Sequence, residues 1–176
     1  MEIRRATRDD MTSILRIYAR AREFMAANGN PDQWGNTYPP QAQIEDDIAN
    51  NALYLCTSGD DVLGVFYYRD GDDESYRTID GAWQNDLPYA VVHRIASSGS
   101  VRGTAEFCLR YAFDLSHNLR IDTHRQNIPM QNLLAKLGFV RCGTITLADG
   151  TERIAYQKTE SSLDLPAKTE PFIVEM

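Results

Sequence analysis

The chain has 176 residues, 43% of them hydrophobic and 24% charged, with a formal net charge of −7, which supplies one substantial core and implies one domain. The acidic balance argues against nucleic acid as a partner, because neutralising phosphates takes a basic excess or a basic face. No apolar run reaches the roughly 18–20 residues of a membrane span, and Met1 to Asp10 is charged where a secretory signal is apolar, so no membrane partner is expected and the expected location is cytoplasmic.

The apolar pattern switches between periods of two and 3.6, which describes an α/β or α+β domain. Ile3 to Ala6 suits a short strand, and Thr7-x-x-Asp10 resembles a capping box opening a helix with Met11, Ile14, Leu15, Tyr18 and Met25 on one face. Asn28-Gly29-Asn30-Pro31 ends that helix, and a loop with Trp34, Tyr38, Pro39 and Pro40 leads to a weaker helix carrying Ile44 and Ile48. Ala52 to Cys56 and Val62 to Tyr68 read as strands joined by the turn Ser58-Gly59-Asp60-Asp61. A polar stretch from Arg69 to Pro88 precedes a strand from Tyr89 to Ala96, a glycine-containing loop, and a helix with Ala105, Cys108, Leu109 and Ala112.

Leu119 to Thr123 is a further strand, and Asn127 caps a helix whose Met130, Leu133, Leu134 and Leu137 recur at i, i+3, i+4 and i+7. Gly138 holds the C-terminal cap position, followed by Phe139. Phe139 to Leu147 and Thr151 to Lys158 form a last hairpin around Ala148-Asp149-Gly150. The domain is expected over residues 1–159, with 160–176 a loosely attached tail interrupted by Pro166 and Pro171, in which 171–174 offers an edge strand as the alternative. Cys56, Cys108 and Cys142 form an odd, widely spaced set with no Cys-x-x-Cys pair, so neither a disulfide framework nor a zinc site is indicated and reduced, mostly buried thiols are expected; no metal is expected.

The stretch that carries chemistry is the strand ending His93-Arg94-Ile95-Ala96, then Ser97 to Val101, then Arg102-Gly103-Thr104-Ala105 at the mouth of a helix. Strand, glycine turn and helix N-terminus together present backbone N–H groups to an anion such as a pyrophosphate. A plain turn is the competing reading, since the chain has neither a Walker lysine motif nor a three-glycine dinucleotide fingerprint.

This region resembles the acetyl-CoA-binding motif of the GNAT superfamily, which reads Gln or Arg, two residues, Gly, one residue, then Gly or Ala. Counted from Ser100, Gly103 and Ala105 match and the first position departs; counted from Arg102, the Arg matches while Ala105 and Phe107 replace small residues. A Cβ at position 105 narrows the turn. The second half, Arg120-Ile121-Asp122-Thr123-His124 followed by Asn127, Met130, Leu133, Leu134, Lys136, Leu137 and the pair Gly138-Phe139, is similar to the GNAT strand and helix on the cofactor's other side. The order of elements agrees with that family over residues 1–158.

The resemblance implies a mixed, mostly antiparallel sheet of six or seven strands, flanked by about four helices, whose fourth and fifth strands (β4/β5 of that fold, through His93 and Ile121) splay apart. Acetyl-CoA, as acyl donor, would lie in the gap. The main chain of Ile95, Ala96 and Ser97 would hold the pantetheine arm, Val101, Arg102, Gly103, Thr104 and Ala105 the phosphates, and Asn127 the same arm or thioester, a helix cap being its other reading. The activity implied is transfer of acetyl to a small-molecule or peptide amine. A non-catalytic acyl-CoA-binding module of the same fold is the alternative, and the family commonly dimerises, which makes a homodimer an expectation.

N-acetylation needs a neutral amine and hence a base with pKa near 7. His93, one of three histidines, shares a strand face with Val91 and Ile95 by alternation, and a strand histidine at this spacing is similar to a proton-relay residue of arylalkylamine-type members; a core histidine bonded to a backbone carbonyl is the bland alternative. The slot where many GNAT enzymes keep an acidic tyrosine holds Leu134, leaving water, His124 or Tyr156 to supply the proton. Trp34, Tyr38, Trp83 and Tyr89, with Tyr76, are candidates for the acceptor pocket, because aromatic faces hold alkyl or cationic amines.

Overall fold

The computed structural model describes residues 1–160, so the tail expected from 160 onward lies, from 161, outside the described residues. The chain opens with β1 (Glu2–Arg5) and a short 3-10 turn (Arg8–Asp10) that runs into α1 (Met11–Ala27). The turn is fastened as its sequence predicts: Asp10 Oδ2 accepts from the Thr7 N–H at 2.8 Å and from Thr7 Oγ1 at 3.0 Å. Then follow α2 (Gln41–Ala49), β2 (Leu53–Ser58), β3 (Asp61–Asp70), a 3-10 turn (Glu74–Tyr76), β4 (Asp80–Gly81), β5 (Ala90–Ser97), α3 (Thr104–Ser116), β6 (Asn118–Thr123), α4 (Ile128–Lys136), β7 (Val140–Thr146) and β8 (Glu152–Thr159).

The strands form one sheet in the order β1-β2-β3-β5-β6-β8-β7-β4. All neighbours run antiparallel except β5 and β6, which are parallel with α3 as their crossover. Among the described residues, seven strands and all four helices follow from the sequence pattern. The eighth strand is β4, whose two residues carry no period to read. Its pairing to β7 is a crossing of bare backbones: a Cβ on Gly81 would lie 2.2 Å from Cys142 O, and one on Gly143 2.2 Å from Asp80 O. Because β4 takes a number, the splayed strands are β5 and β6 here.

Alternation along the strands sends side chains to two main cores and a smaller cluster around Tyr76 and Val91. Ile14, Ile17 and Tyr18 of α1 and Ile44 and Ile48 of α2 pack on Leu53, Leu55 and Val65 on one face. Cys108, Leu109 and Ala112 of α3, Leu134 of α4 and Leu137 just after it pack on Phe66, Val92 and Ile121 on the other. All three cysteines are free, and Cys56 and Cys108 are buried. The end of α4 follows the Gly-Phe signal: Gly138 takes φ 80°, its N–H reaches Ala135 O at 3.1 Å, and the Phe139 N–H reaches Leu134 O at 3.0 Å. Those two bonds are a Schellman cap, with Phe139 buried in the core that holds Leu134.

Candidate active site

The parallel strands β5 and β6 share only two register pairs, Ala90 with Leu119 and Val91 with Arg120. Beyond them β5 continues along β3 to Ser97 and β6 along β8 to Thr123, so the sheet opens between them. The opening has a local cause in β5. Tyr67 faces His93 and Val65 faces Ala96, so one residue of β3 between those pairs is met by two on β5, and Arg94 takes φ 51°. That is a β-bulge, which bends its strand and breaks the alternation of faces.

The bulge corrects the expectation that His93 points where Ile95 points. Ala90, Val92 and Ile95 enter the core under α3, whereas Val91 belongs to a cluster with Tyr76 and Tyr67. The His93 ring lies 5.9 Å from Tyr67 and 5.8 Å from Tyr76. His93 therefore shares the face of Val91, and the extra residue turns Ile95 to the opposite one.

A cavity of about 680 Å³ occupies the opening, and its walls include His93, Ile95, Asp122, Thr123 and Asn127. His93 Nε2 is 2.8 Å from Asp73 Oδ2, and Nδ1 is 3.6 Å from Asp122 Oδ1. Asp73 is itself fixed: its Oδ1 accepts the Ser75 N–H at 2.9 Å, and its own N–H donates to Tyr89 Oη at 3.2 Å. Burial opposes ionisation of Asp73, but the bond and charge of His93 and the Ser75 N–H outweigh it and hold the carboxyl at about 2. Tyr76, driven well above the usual phenol range by burial and by Asp122, remains a donor and gives its hydroxyl proton to Asp122 Oδ1 at 2.7 Å.

One residue along, Arg94 Nη2 donates to Asp47 Oδ2 at 2.7 Å, and its guanidinium carbon lies 4.5 Å from the Tyr67 ring centroid. Burial raises the pKa of Asp47 against the pull of Arg94. The Tyr18 hydroxyl donates to Arg94 O at 3.1 Å, clamping the bulge from α1.

Of the aromatic residues expected around the acceptor, Trp34 and Tyr38 line the cavity. Trp34 meets Tyr18 edge-on at 5.7 Å, which fixes the loop before α2. Trp83 and Tyr89 do not line it. They enclose the Arg120 guanidinium, whose carbon lies 4.1 and 3.8 Å from their ring centroids. Their place is one layer behind, where the Trp83 indole N–H donates to Tyr76 O at 3.0 Å. Gln157, fully buried, anchors the same segment through Oε1 to the Gln84 N–H at 2.8 Å and Nε2 to Asn118 Oδ1 at 2.7 Å.

Of the residues expected to hold a cofactor, Ile95 and Asn127 line the cavity, whereas Ala96, Ser97 and Val101 to Ala105 are not part of its wall and follow it along the end of β5 and the start of α3. Ala96 and Ser97 pair with Val65 and Gly64 on one edge of β5 while the other edge faces the gap. Gly103 takes φ 82° ahead of α3, and among the described residues none beyond its chain neighbours comes within 4 Å of where a Cβ would stand. Thr104 Oγ1 donates to Val101 O at 2.9 Å, closing the turn, and Arg102 is exposed beside it. Ala105 is half-buried in the first turn of α3. Asn127 caps α4, its Oδ1 accepting the Met130 N–H at 3.3 Å, and its Nδ2 donates to Gln33 Oε1 at 3.0 Å. Thr123 Oγ1 is buried in the cavity wall without a partner among the described residues. An open strand edge, an unobstructed helix mouth and that unpartnered hydroxyl fit a long amide-bearing thioester ending in phosphates. His124 and Tyr156 are absent from the cavity wall, and Leu134 is fully buried in the core.

No protein-family model and no curated protein matches the chain. Among solved structures, an acetyltransferase of the GNAT family from Streptococcus agalactiae is 33% identical, with 91% of this chain and 95% of that one covered and a TM-score of 0.83. The chain belongs to the GNAT family of acetyltransferases. Two more distant structures share the GNAT fold: a ribosomal-protein-alanine N-acetyltransferase from Brucella melitensis, 18% identical over 91% of this chain and 100% of that one at TM-score 0.63, and yncA from Salmonella typhimurium, solved with its cofactor acetyl-CoA, 15% identical over 95% and 98% at TM-score 0.61.

Sequence reasoning missed Asp73 and Asp122 of the cavity wall, and the approach of Arg20 to a loop outside it. Asp73 sits in a polar stretch without periodicity, and Asp122 is one acid on an otherwise ordinary strand. Arg20, whose Nη2 would stand 2.9 Å from a Cβ on Gly99, approaches the loop before α3 from α1, a proximity only the tertiary fold creates.

Proposed function

We propose that the protein is an N-acetyltransferase that moves the acetyl group of acetyl-CoA to a primary amine of a small molecule or peptide, by direct attack of the amine on the thioester. The observation that carries this reading is the two-residue pairing of β5 and β6, which opens the sheet beside His93. Acetyl-CoA supplies an activated acyl carbon. The chain's residues do the rest: main-chain groups of Ile95, Ala96 and Ser97 grip the pantetheine arm, as an added strand would be gripped. Val101, Arg102, Gly103, Thr104 and Ala105 receive the phosphates at the positive end of α3, and Asn127 meets the arm from the facing side.

His93 takes the ammonium proton, and the Ile95 N–H is the donor for charge developing on the acyl oxygen. Trp34 and Tyr38 flank the acceptor. Because Leu134 fills the family's acid slot from inside the core, water protonates the departing thiolate, a modest base whose thiol has pKa about 8.5. The buried Leu134 also supports a second reading, an acyl-CoA-binding module without turnover. No nucleic acid or metal enters either reading.

A thiol-release assay with acetyl-CoA and an amine library tests both. Acceptor-dependent thiol, reduced about 10²- to 10⁴-fold in His93→Ala, is the expected result. CoA binding without release favours the module, and failure to bind CoA at millimolar levels sinks both readings.

A further inference from the structure

The His93 ring carries a carboxylate on each side. Asp73 Oδ2 lies 2.8 Å from Nε2, and an ionised carboxylate only accepts, so Nε2 holds the ring proton in the neutral imidazole. Nδ1 is then the free lone pair. It faces Asp122 Oδ1 at 3.6 Å, too wide for a direct hydrogen bond, and both groups line the cavity. We infer that Asp73 fixes the Nε2–H tautomer so that Nδ1 is the base, and that Asp122 seats the incoming ammonium next to it. This rests on the transferase reading, to which it adds a positioning residue and the contact for the acceptor's charge.

The proton balance is simple. An ammonium N–H breaks, its proton passes to Nδ1, and the nitrogen lone pair is left for attack. The resulting imidazolium lies between two carboxylates, which is the stabilisation an acid behind a catalytic histidine provides. The groups facing His93 come from every neighbouring element: Asp73 from the loop after β3, Tyr67 from β3, Tyr76 from the 3-10 turn, Asp122 from β6, and the Arg94–Asp47 pair beside the bulge. Asp122 is oriented by the Tyr76 hydroxyl at 2.7 Å and is no hydrogen-bond partner of Nδ1. Asp73 is oriented by the Ser75 N–H at 2.9 Å.

Asp73→Asn separates this role from a merely structural one. Its Oδ1 can still accept from Ser75, but its amide now donates toward Nε2 and drives the ring proton to Nδ1. With three histidines in the chain, ring ¹⁵N shifts of the intact protein, assigned by substituting His117 and His124, read the tautomer without any acceptor. Nε2–H is expected at alkaline pH in the wild type and Nδ1–H in Asp73→Asn. The variant's kcat should fall about 10²- to 10⁴-fold while its CoA Kd stays within about twofold. Asp73→Glu should recover part of the loss, and Asp122→Asn should raise the acceptor KM more than it lowers kcat. An Nδ1–H wild type, or an Asp73→Asn protein with unchanged tautomer and kcat, overturns the inference. Should Asp73→Asn not fold, the wild-type spectrum still decides. A wild type that releases no thiol with any amine sinks the transferase reading instead, because the ring spectrum does not depend on turnover.

Discussion

Asn127 and Gln33 hydrogen-bond at 3.0 Å, joining the first turn of α4 to the loop before α2 along the wall of the gap. The same Asn127 side chain accepts the Met130 N–H through Oδ1, and Gln33 Oε1 also accepts from Asn30 Nδ2 at 2.7 Å. One side chain thus serves as helix cap, loop tether and, in the proposed complex, a cofactor contact.

Two substitutions separate these roles. Asn127→Ala removes the cap and should lower stability by about 1 kcal/mol in denaturant unfolding. Asn127→Ser keeps an oxygen for the Met130 N–H but is too short to reach Gln33, so its stability should stay near wild type while its CoA Kd rises several-fold. If the serine variant binds CoA like the wild type, Asn127 is a cap and loop tether and makes no contact that holds the cofactor.

What the sequence made legible was whatever repeats or punctuates. The helical stripe of Met130, Leu133, Leu134 and Leu137, ended by Gly138 and Phe139, gives α4 and its Schellman cap, and the Asp149-Gly150 turn gives the last hairpin. The orientation of His93 was not legible, because alternation holds only in a regular strand and a bulge at Arg94 is an arginine doing what sequence assigns to glycine. Nor was the partnership of His93 with Asp73, 20 positions apart, since that contact depends on the loop after β3 folding back over β5. Trp83 and Tyr89 misled for a related reason: an aromatic side chain serves a buried cation as well as a ligand, and here the cation is Arg120.

Asp10 makes a pH prediction. Its hydrogen bond to Arg4, at 2.7 Å, and the Thr7 N–H, at 2.8 Å, overcome the cost of burial and bring its pKa from the ordinary 3.8 to about 2. The folded state thus holds the proton less tightly than the unfolded one. The stabilisation is present above the ordinary value and is lost as pH falls through about 2. Arg4 is 46% exposed, so solvent screens the pair and its worth is about 1 kcal/mol or less. Asp10→Asn should be less stable than wild type near neutral pH, with the difference shrinking toward pH 2 and in high salt. A gap in unfolding midpoint that is constant with pH would show that the carboxylate charge contributes nothing.

Gly64 on β3 tests how tightly α3 is held against the gap. A Cβ there would lie 2.8 Å from Thr104 Cγ2 and 3.2 Å from Ala96 O, and the backbone is outside the left-handed region, so any cost comes from packing. Thr104 cannot swing aside freely: it is buried, and its hydroxyl is committed to Val101 O at 2.9 Å. Gly64→Ala should therefore cost about 1–3 kcal/mol by overpacking. The strain falls on Thr104 in the first turn of α3 and on Ala96 of β5, the two places proposed to meet the phosphates and the pantetheine arm. CoA titration should show weakened binding, and adding Thr104→Ser, which removes Cγ2 but keeps the hydroxyl, should restore most of it. If Gly64→Ala binds CoA normally at wild-type stability, the contact is slack and the helix mouth is not set by β3. If it loses stability without losing CoA affinity, the phosphates are not held by the first turn of α3, and the cofactor placement proposed here has to move.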